Sequence, residues 1–332
     1  MSLNLGRLRP YLLFLALVAL VALVAAAATL PRALAPAAHG ATQPANGQVD
    51  RAAAAAGSRP FRPTSYWNTR LGPAPHSPHS SQWIKDAKKY GGHGLNLIIG
   101  DWGMPVYRSK ASDPVYRFSS NGHSVRVHIP RQARPMNASD AALTVIDRST
   151  NQVVGLFGAH YSNGNWSASA VSRYRYQSNG IAGGLPGGRK ANFGHRGIPA
   201  SVPAVTKAEI QRGKIRHRLE IYWHETASRT PEGRSAYFPM TGSESGKSGV
   251  VPEGAVIRIR PTLNLKRLSL SPAAYVIARA LQKYGAVVGD NSGQGNSLKL
   301  QGNTNWGGIL NRNSLAKIPW SDYVFVKGGY RP

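Results

Sequence analysis

The chain has 332 residues, with 41 Lys and Arg against 14 Asp and Glu, a formal net charge of +27. It contains no cysteine, which excludes disulfide scaffolds, zinc–thiolate and iron–sulfur sites and thiol nucleophiles. With 42% hydrophobic residues, 36 Gly and 23 Pro, it is loop-rich yet able to bury a core, which excludes a disordered chain.

Arg7 and Arg9 precede an apolar run over 11–30 that ends at Pro31-Arg32. A positive flank and an apolar stretch are the parts of an export signal, and about 20 apolar residues also suffice to cross a bilayer as a helix. Residues 1–30 are therefore expected to be a signal peptide or an uncleaved anchor in the cytoplasmic membrane, with the remainder extracellular or in the cell envelope. Residues 31–58 have the Ala/Pro-rich composition of a linker. A single β-rich extracellular domain is predicted over 59–332.

Within that domain Ser80 or Ser81 opens a helix over 82–90, with Gly91 as its left-handed terminal residue. Eight short runs of period two follow the β pattern: 124–129, 143–147, 152–159, 166–177, 214–225, 255–260, 286–289 and 323–327. Turn residues such as Asn121-Gly122 and Ser162-Asn163-Gly164 separate them. Thr206 with Glu209 forms a capping box on a short helix closed by Gly213, and Ser271-Pro272 starts a helix over 273–284 closed by Gly285. Its residues Ala274, Ile277, Ala278 and Leu281 share one face, which predicts packing against a sheet. The predicted fold is mainly β, an antiparallel sandwich or jelly-roll-like domain with a few short helices.

Fourteen acids are few enough to sort one by one. Asp50 falls in the linker, Asp86 on a surface helix, Asp113 before a proline and Glu209 in the capping box. Glu232, Glu244 and Glu253 lie in loops broken by Gly and Pro, and Asp147 opens a hairpin turn. Alternation along 214–225 puts Ile215, His217, Leu219, Ile221 and Trp223 on one face, and Arg216, Arg218, Glu220, Tyr222 and His224 on the other. Asp140 precedes the strand 143–147, and Asp290 follows the strand 286–289. The candidate catalytic residues are Asp140, His217, Glu220, Tyr222 and Asp290, because a carbohydrate-cleaving site needs acids and bases of contrasting environment. Trp67, Trp102 and Trp166 stand beside Gly or Asn, as aromatics that stack on sugars do, and Arg218 and Tyr284 complete the expected substrate contacts.

Other motifs fail on spacing. Gly242 to Ser248 has three residues between its glycines where a phosphate loop needs four, and Ser314-Leu-Ala-Lys317 lacks the elements that complete a penicillin-binding site. His76-Ser-Pro-His79 has no companion acid, so no metal and no cofactor is expected. The positive charge, spread without a nucleic-acid module, points to an anionic polysaccharide or cell-wall polymer rather than to nucleic acid. A monomer is expected, held to the membrane only if the N-terminal run is retained.

Ser65-Tyr66-Trp67-Asn68, Met104-Pro105-Val106-Tyr107, Asp140 with Val145-Ile146-Asp147, Ile198-Pro199-Ala200-Ser201, Ile215-Arg216-His217 and Asp290-Asn291-Ser292-Gly293 together carry a resemblance to exported actinobacterial proteins of uncharacterised activity. The resemblance implies a β-rich extracellular domain and transfers no catalytic residue. Tyr323 to Tyr330 is similar to the closing strand of β-sandwich polysaccharide lyases, which would imply β-elimination on a uronate polymer. Two readings follow: a carbohydrate hydrolase or lyase, in which at least three candidate residues converge beside a Trp, or a non-catalytic basic module that binds envelope polymers.

Overall fold

Short runs of β-branched and aromatic residues pair into one large sheet, one small sheet and several hairpins in the computed structural model, which describes residues 59–120, 122–184, 190–199, 202–293 and 295–332. The signal or anchor and the linker predicted over 1–58 lie outside the described residues. The class is mainly β, consistent with a β-sandwich, and among the described residues the α-helices are three short ones: α1 (Ser80–Tyr90), α2 (Lys207–Gln211) and α3 (Pro272–Lys283).

In spatial order the large sheet contains Asn96–Ile98, Ser297–Lys299, Leu219–Trp223, Ala286–Asn291, Val256–Ile259 and Tyr323–Phe325. Its pairings are mixed. Leu219–Trp223 runs parallel to Ala286–Asn291, with Val256–Ile259 and α3 between them in the chain, whereas Val256–Ile259 pairs antiparallel with both of its neighbours. One face buries Leu219, Ile221, Trp223, Ile257, Ala286, Val288 and Leu298 against Ala274, Ile277, Ala278 and Leu281 of α3, the helix face expected from the sequence. Ser271 caps α3 by accepting the Ala274 amide at 3.2 Å. The other face packs Val256 and Val287 under Phe61, Trp67, Tyr174, Ile198 and Met240.

The small sheet orders Val106–Arg108, Leu143–Asp147, Gln152–Phe157 and Ala170–Arg175. The hairpin Val115–Ser120/His123–His128 covers it, and Phe118, Val125, Val127, Val145, Val154, Leu156 and Val171 fill the sandwich between them.

Details differ from the sequence pattern. The polar stretch 214–218 is not strand; pairing starts at Leu219, where the apolar alternation becomes continuous. The run 166–177 divides into Asn165–Ser167 and Ala170–Arg175. At the end of α1 the left-handed residue is Gly92 (φ 61°), not Gly91. Gly91 is required for space instead, because a Cβ there would meet the Ala87 carbonyl and the Trp320 ring at 2.7 Å. No described helix is long and apolar enough to cross a membrane.

Candidate active site

Strand Leu219–Trp223 sets the site. Leu219, Ile221 and Trp223 enter the helix-side core, which turns Glu220 and Tyr222 to the opposite face. The antiparallel neighbour pairs Ile221 with Leu298 and Tyr222 with Ser297, and continuing that register puts Lys299 beside Glu220. On the parallel neighbour, Ile221 pairs with Val288 but Tyr222 pairs with Asp290, so the ladder skips Gly289. This bulge decides where Asp290 points. Without it, Asp290 would follow Ala286 and Val288 into the apolar core; with it, Asp290 joins Glu220 and Tyr222. Gly289 is also needed for space, since a Cβ there would lie 2.2 Å from Ile198 Cδ1 and 2.8 Å from Glu220 Oε1.

Loops complete the constellation. Arg196 donates from Nε to Glu253 Oε2 at 2.8 Å and from Nη2 to Asp290 Oδ1 at 2.5 Å, bridging two carboxylates. It does so from a left-handed backbone (φ 46°), a strained conformation for a non-glycine residue, fixed by the Thr241 amide donating to its carbonyl at 2.8 Å. The Asn291 amide also donates to Asp290 Oδ1, at 2.9 Å. The Asn291 side chain accepts from the Thr226 amide at 2.7 Å and donates to Glu244 Oε2 at 2.5 Å. His195 Nε2 stands 3.7 Å from Asp290 Oδ2.

Electrostatics separate these acids. Glu220 is 1% exposed and its Oε2 has no hydrogen-bond partner among the described residues. Burial pushes its pKa up to about 7 against the pull of Lys299 and the Tyr222 hydroxyl, with Asp290 and Glu253 adding to the rise. Burial likewise lifts Glu253 to about 7 against the attraction of Arg196. Glu253 nevertheless has both oxygens occupied, one by Arg196 and one by the Glu244 amide at 3.3 Å. Lys299 is itself shifted down by burial, opposed by the charges of Glu220, Asp140 and Asp290, and its ammonium sits 4.0 Å from the Tyr222 ring centre. His195 is shifted down, first by burial and then by Arg196, while Asp290, Glu244 and Asp140 oppose the shift. The Asp290 side chain is 33% exposed and that of His195 57%, so the site opens to solvent above a floor of Glu220 and Glu253.

Three of the five catalytic candidates, Glu220, Tyr222 and Asp290, come together here, while Asp140 enters only through its charge, which acts on His195 and Lys299. His217 does not join them. Its Nε2 donates to Glu209 Oε1 at 2.9 Å and its Nδ1 to the Arg218 carbonyl at 2.8 Å, so both nitrogens are committed in a buried pair that anchors α2.

The expected sugar contacts are corrected in the same way. Arg218 is fully buried, donates to the carbonyls of Tyr284 and Tyr66 at 2.9 Å, and stacks on Tyr66. Trp67 is buried and donates to the Gly180 carbonyl at 2.7 Å; Trp166 fills the small sandwich; Tyr284 is buried at the end of α3. Of these aromatics Trp102 alone is exposed, in a 3₁₀ turn over Gly100–Trp102. The sequence reading missed Arg196, His195, Lys299, Glu244 and Glu253. Glu253 lies between Pro252 and Gly254 and reads as loop, and Lys299 ends a strand of three residues, too short for a period.

No group of three or more His, Cys, Asp or Glu that could hold a metal ion occurs among the described residues. No protein-family model, curated protein or solved structure matches the chain.

Proposed function

We propose that this chain is an exported or membrane-tethered enzyme that cleaves an anionic polysaccharide of the cell envelope or its surroundings by acid–base hydrolysis at the Glu220–Asp290 site. The observation that carries the reading is the contrast between two neighbouring carboxyl groups. Glu220 is buried with an unbonded oxygen and keeps its proton to about pH 7, while Asp290 is a solvent-facing carboxylate clamped by Arg196. Such a pair is what glycoside cleavage needs, an acid for the leaving oxygen and a base for water.

Tyr222 connects Glu220 to the ligand side. In the proposed step the Tyr222 hydroxyl gives its proton to the glycosidic oxygen as the C–O bond breaks, and Glu220 gives its own proton to Tyr222. Water adds to the sugar carbon and passes a proton to Asp290 Oδ2, the oxygen that Arg196 and the Asn291 amide leave open. The new Glu220 carboxylate is stabilised by Lys299. His195, exposed beside Asp290, orients the sugar. The net charge of +27 supports an anionic substrate.

The test is incubation of the purified full-length chain with uronate polysaccharides and cell-wall extracts. Hydrolysis predicts new reducing ends without the ultraviolet absorbance of unsaturated sugars; that absorbance would move the reading to β-elimination, and no cleavage of any polymer would overturn it.

A further inference from the structure

A cleft of about 350 Å³ opens where the small sheet meets α2 and the segment 59–61, and none of Glu220, Tyr222, Asp290 or Arg196 lines it. Strand alternation builds one wall. In Val106–Arg108 the Tyr107 ring packs on the core of the small sandwich, so Val106 and Arg108 face the other way, where Val106 packs against Ile146 and Val153. α2 and the residue after it bring Lys207 and Arg212 to a second wall, and Arg59 enters from the segment before Phe61.

Two links fix these walls to one support. The Val106 amide donates to Asn303 Oδ1 at 3.0 Å while Asn303 Nδ2 donates to the Val106 carbonyl at 3.1 Å, and the Lys207 amide donates to Gln301 Oε1 at 3.2 Å. Segment 301–303 therefore holds both the edge strand and α2, and the cleft is preformed.

Its charge is one-sided. Arg59, Arg108, Lys207 and Arg212 line it, and the one acid among its described lining residues, Glu209, has both oxygens occupied, Oε1 by His217 and Oε2 by Thr206. Among the described residues Arg108, Lys207 and Arg212 form no ion pair, and Arg59 donates from Nη1 to the Arg216 carbonyl. The pKa of Arg108 is lowered, first by desolvation, with the charges of Arg212 and Arg148 adding to the shift against Tyr176 and Glu209. An anion between such cations relieves their repulsion. The remaining wall is apolar, with Phe61, Trp67, Ile146 and Pro203 buried along it.

We propose that this cleft binds a small molecule through its phosphoryl groups. Four cationic side chains around so small a space call for several negative charges close together, and a phosphoryl group brings about two where a carboxylate brings one. Arg108 and Arg212 match its oxygens bidentately, Lys207 and Arg59 add charge, and the uncharged part of the ligand lies along the apolar wall. The site does not rest on the hydrolysis proposed above.

Calorimetric titration of the full-length chain with pyrophosphate at physiological ionic strength tests this, and a one-to-one complex is expected. Arg108→Gln with Arg212→Gln should weaken it roughly tenfold or more. Both side chains are exposed, so the fold is retained, which circular dichroism checks. Lys266→Gln with Arg267→Gln, which removes the same charge from the exposed turn Leu265–Leu268, should change binding by less than about twofold. No binding by the parent chain, equal losses in the two variants, or no loss in the first would overturn the proposal. Citrate, which carries its charges on carboxylates, should bind roughly tenfold more weakly than pyrophosphate; equal or tighter binding would overturn the phosphoryl assignment. Glu220→Gln should bind pyrophosphate like the parent chain, so a failure of the proposed hydrolysis leaves the cleft standing.

Discussion

Glu209 and Glu220 are both buried glutamates in the same chain, and their surroundings give them opposite characters. Glu209 has every oxygen satisfied, Oε1 by His217 and Oε2 by the Thr206 hydroxyl and amide at 2.8 and 3.1 Å, and despite burial its pKa is lowered by the charge and hydrogen bond of His217. Glu220 lies on a sheet face with one oxygen unbonded, and burial wins. Burial alone does not make a reactive acid; an incomplete set of partners does.

The largest effect expected from this contrast is on catalysis. Glu220→Gln should lower cleavage of the best polysaccharide by about 10²–10⁴-fold, the range for loss of a general acid, and Tyr222→Phe should fall similarly because the proton passes through its hydroxyl. Initial-rate assays with folding checked by circular dichroism would decide it. A loss under tenfold for either would remove Glu220 from the chemistry.

Stability should respond in the reverse order. His217→Ala leaves Glu209 buried and unpaired and should destabilise by about 3–5 kcal/mol in urea unfolding, with the pH profile of activity unchanged. Glu220→Gln should instead stabilise the fold above pH 7, by an amount on the order of 3 kcal/mol for a carboxyl lifted from 4.5 to about 7. The signs follow from linkage. Folded Glu220 binds a proton that the unfolded chain releases near pH 4.5, so its effect on stability worsens as pH rises from there through 7. His217 is raised from 6.5, so its contribution is complete below that value and lost as pH rises through its folded pKa; Glu209 is lowered from 4.5, so its contribution is complete above that value and lost in acid. The pair therefore stabilises most between about pH 4.5 and 6.5.

Activity should decline on the alkaline side with a midpoint near pH 7, where Glu220 loses its proton. A rate that is flat from pH 6 to 8 would contradict the assignment. Gly289→Ala should cost about 1–3 kcal/mol and reduce activity as Ile198 and Glu220 shift away from the new methyl group, measured by thermal melts and rates together. Trp102→Ala removes an exposed ring and should change stability by no more than about 0.5 kcal/mol and leave cleavage intact.

Much of the frame was legible in the sequence because it is local. Ser271-Pro272 and the Ala274/Ile277/Ala278/Leu281 face specify α3, the Thr206–Glu209 box specifies α2, and Leu143–Asp147 keeps its predicted bounds. Counting acids singled out Glu220 and Asp290, and alternation put Tyr222 on the face of Glu220. What failed depends on contacts between distant segments. Whether His217 served chemistry or a buried pair turned on Glu209 lying within reach of its ring, and Trp67 and Trp166 proved to be buried because other segments fold over them. Arg196 bridges residues 57 and 94 positions away, and the bulge at Gly289 that turns Asp290 into the site is set by its pairing with Tyr222, a register no single strand reveals.

The central claim is that Glu220 holds a proton near neutrality. Titration of the ¹³C-labelled glutamate carboxyl signals by NMR, with Glu220 assigned as the resonance missing from Glu220→Gln, measures this without a substrate. A midpoint close to 7 is predicted. A midpoint at or below the ordinary glutamate value of 4.5 would contradict the account.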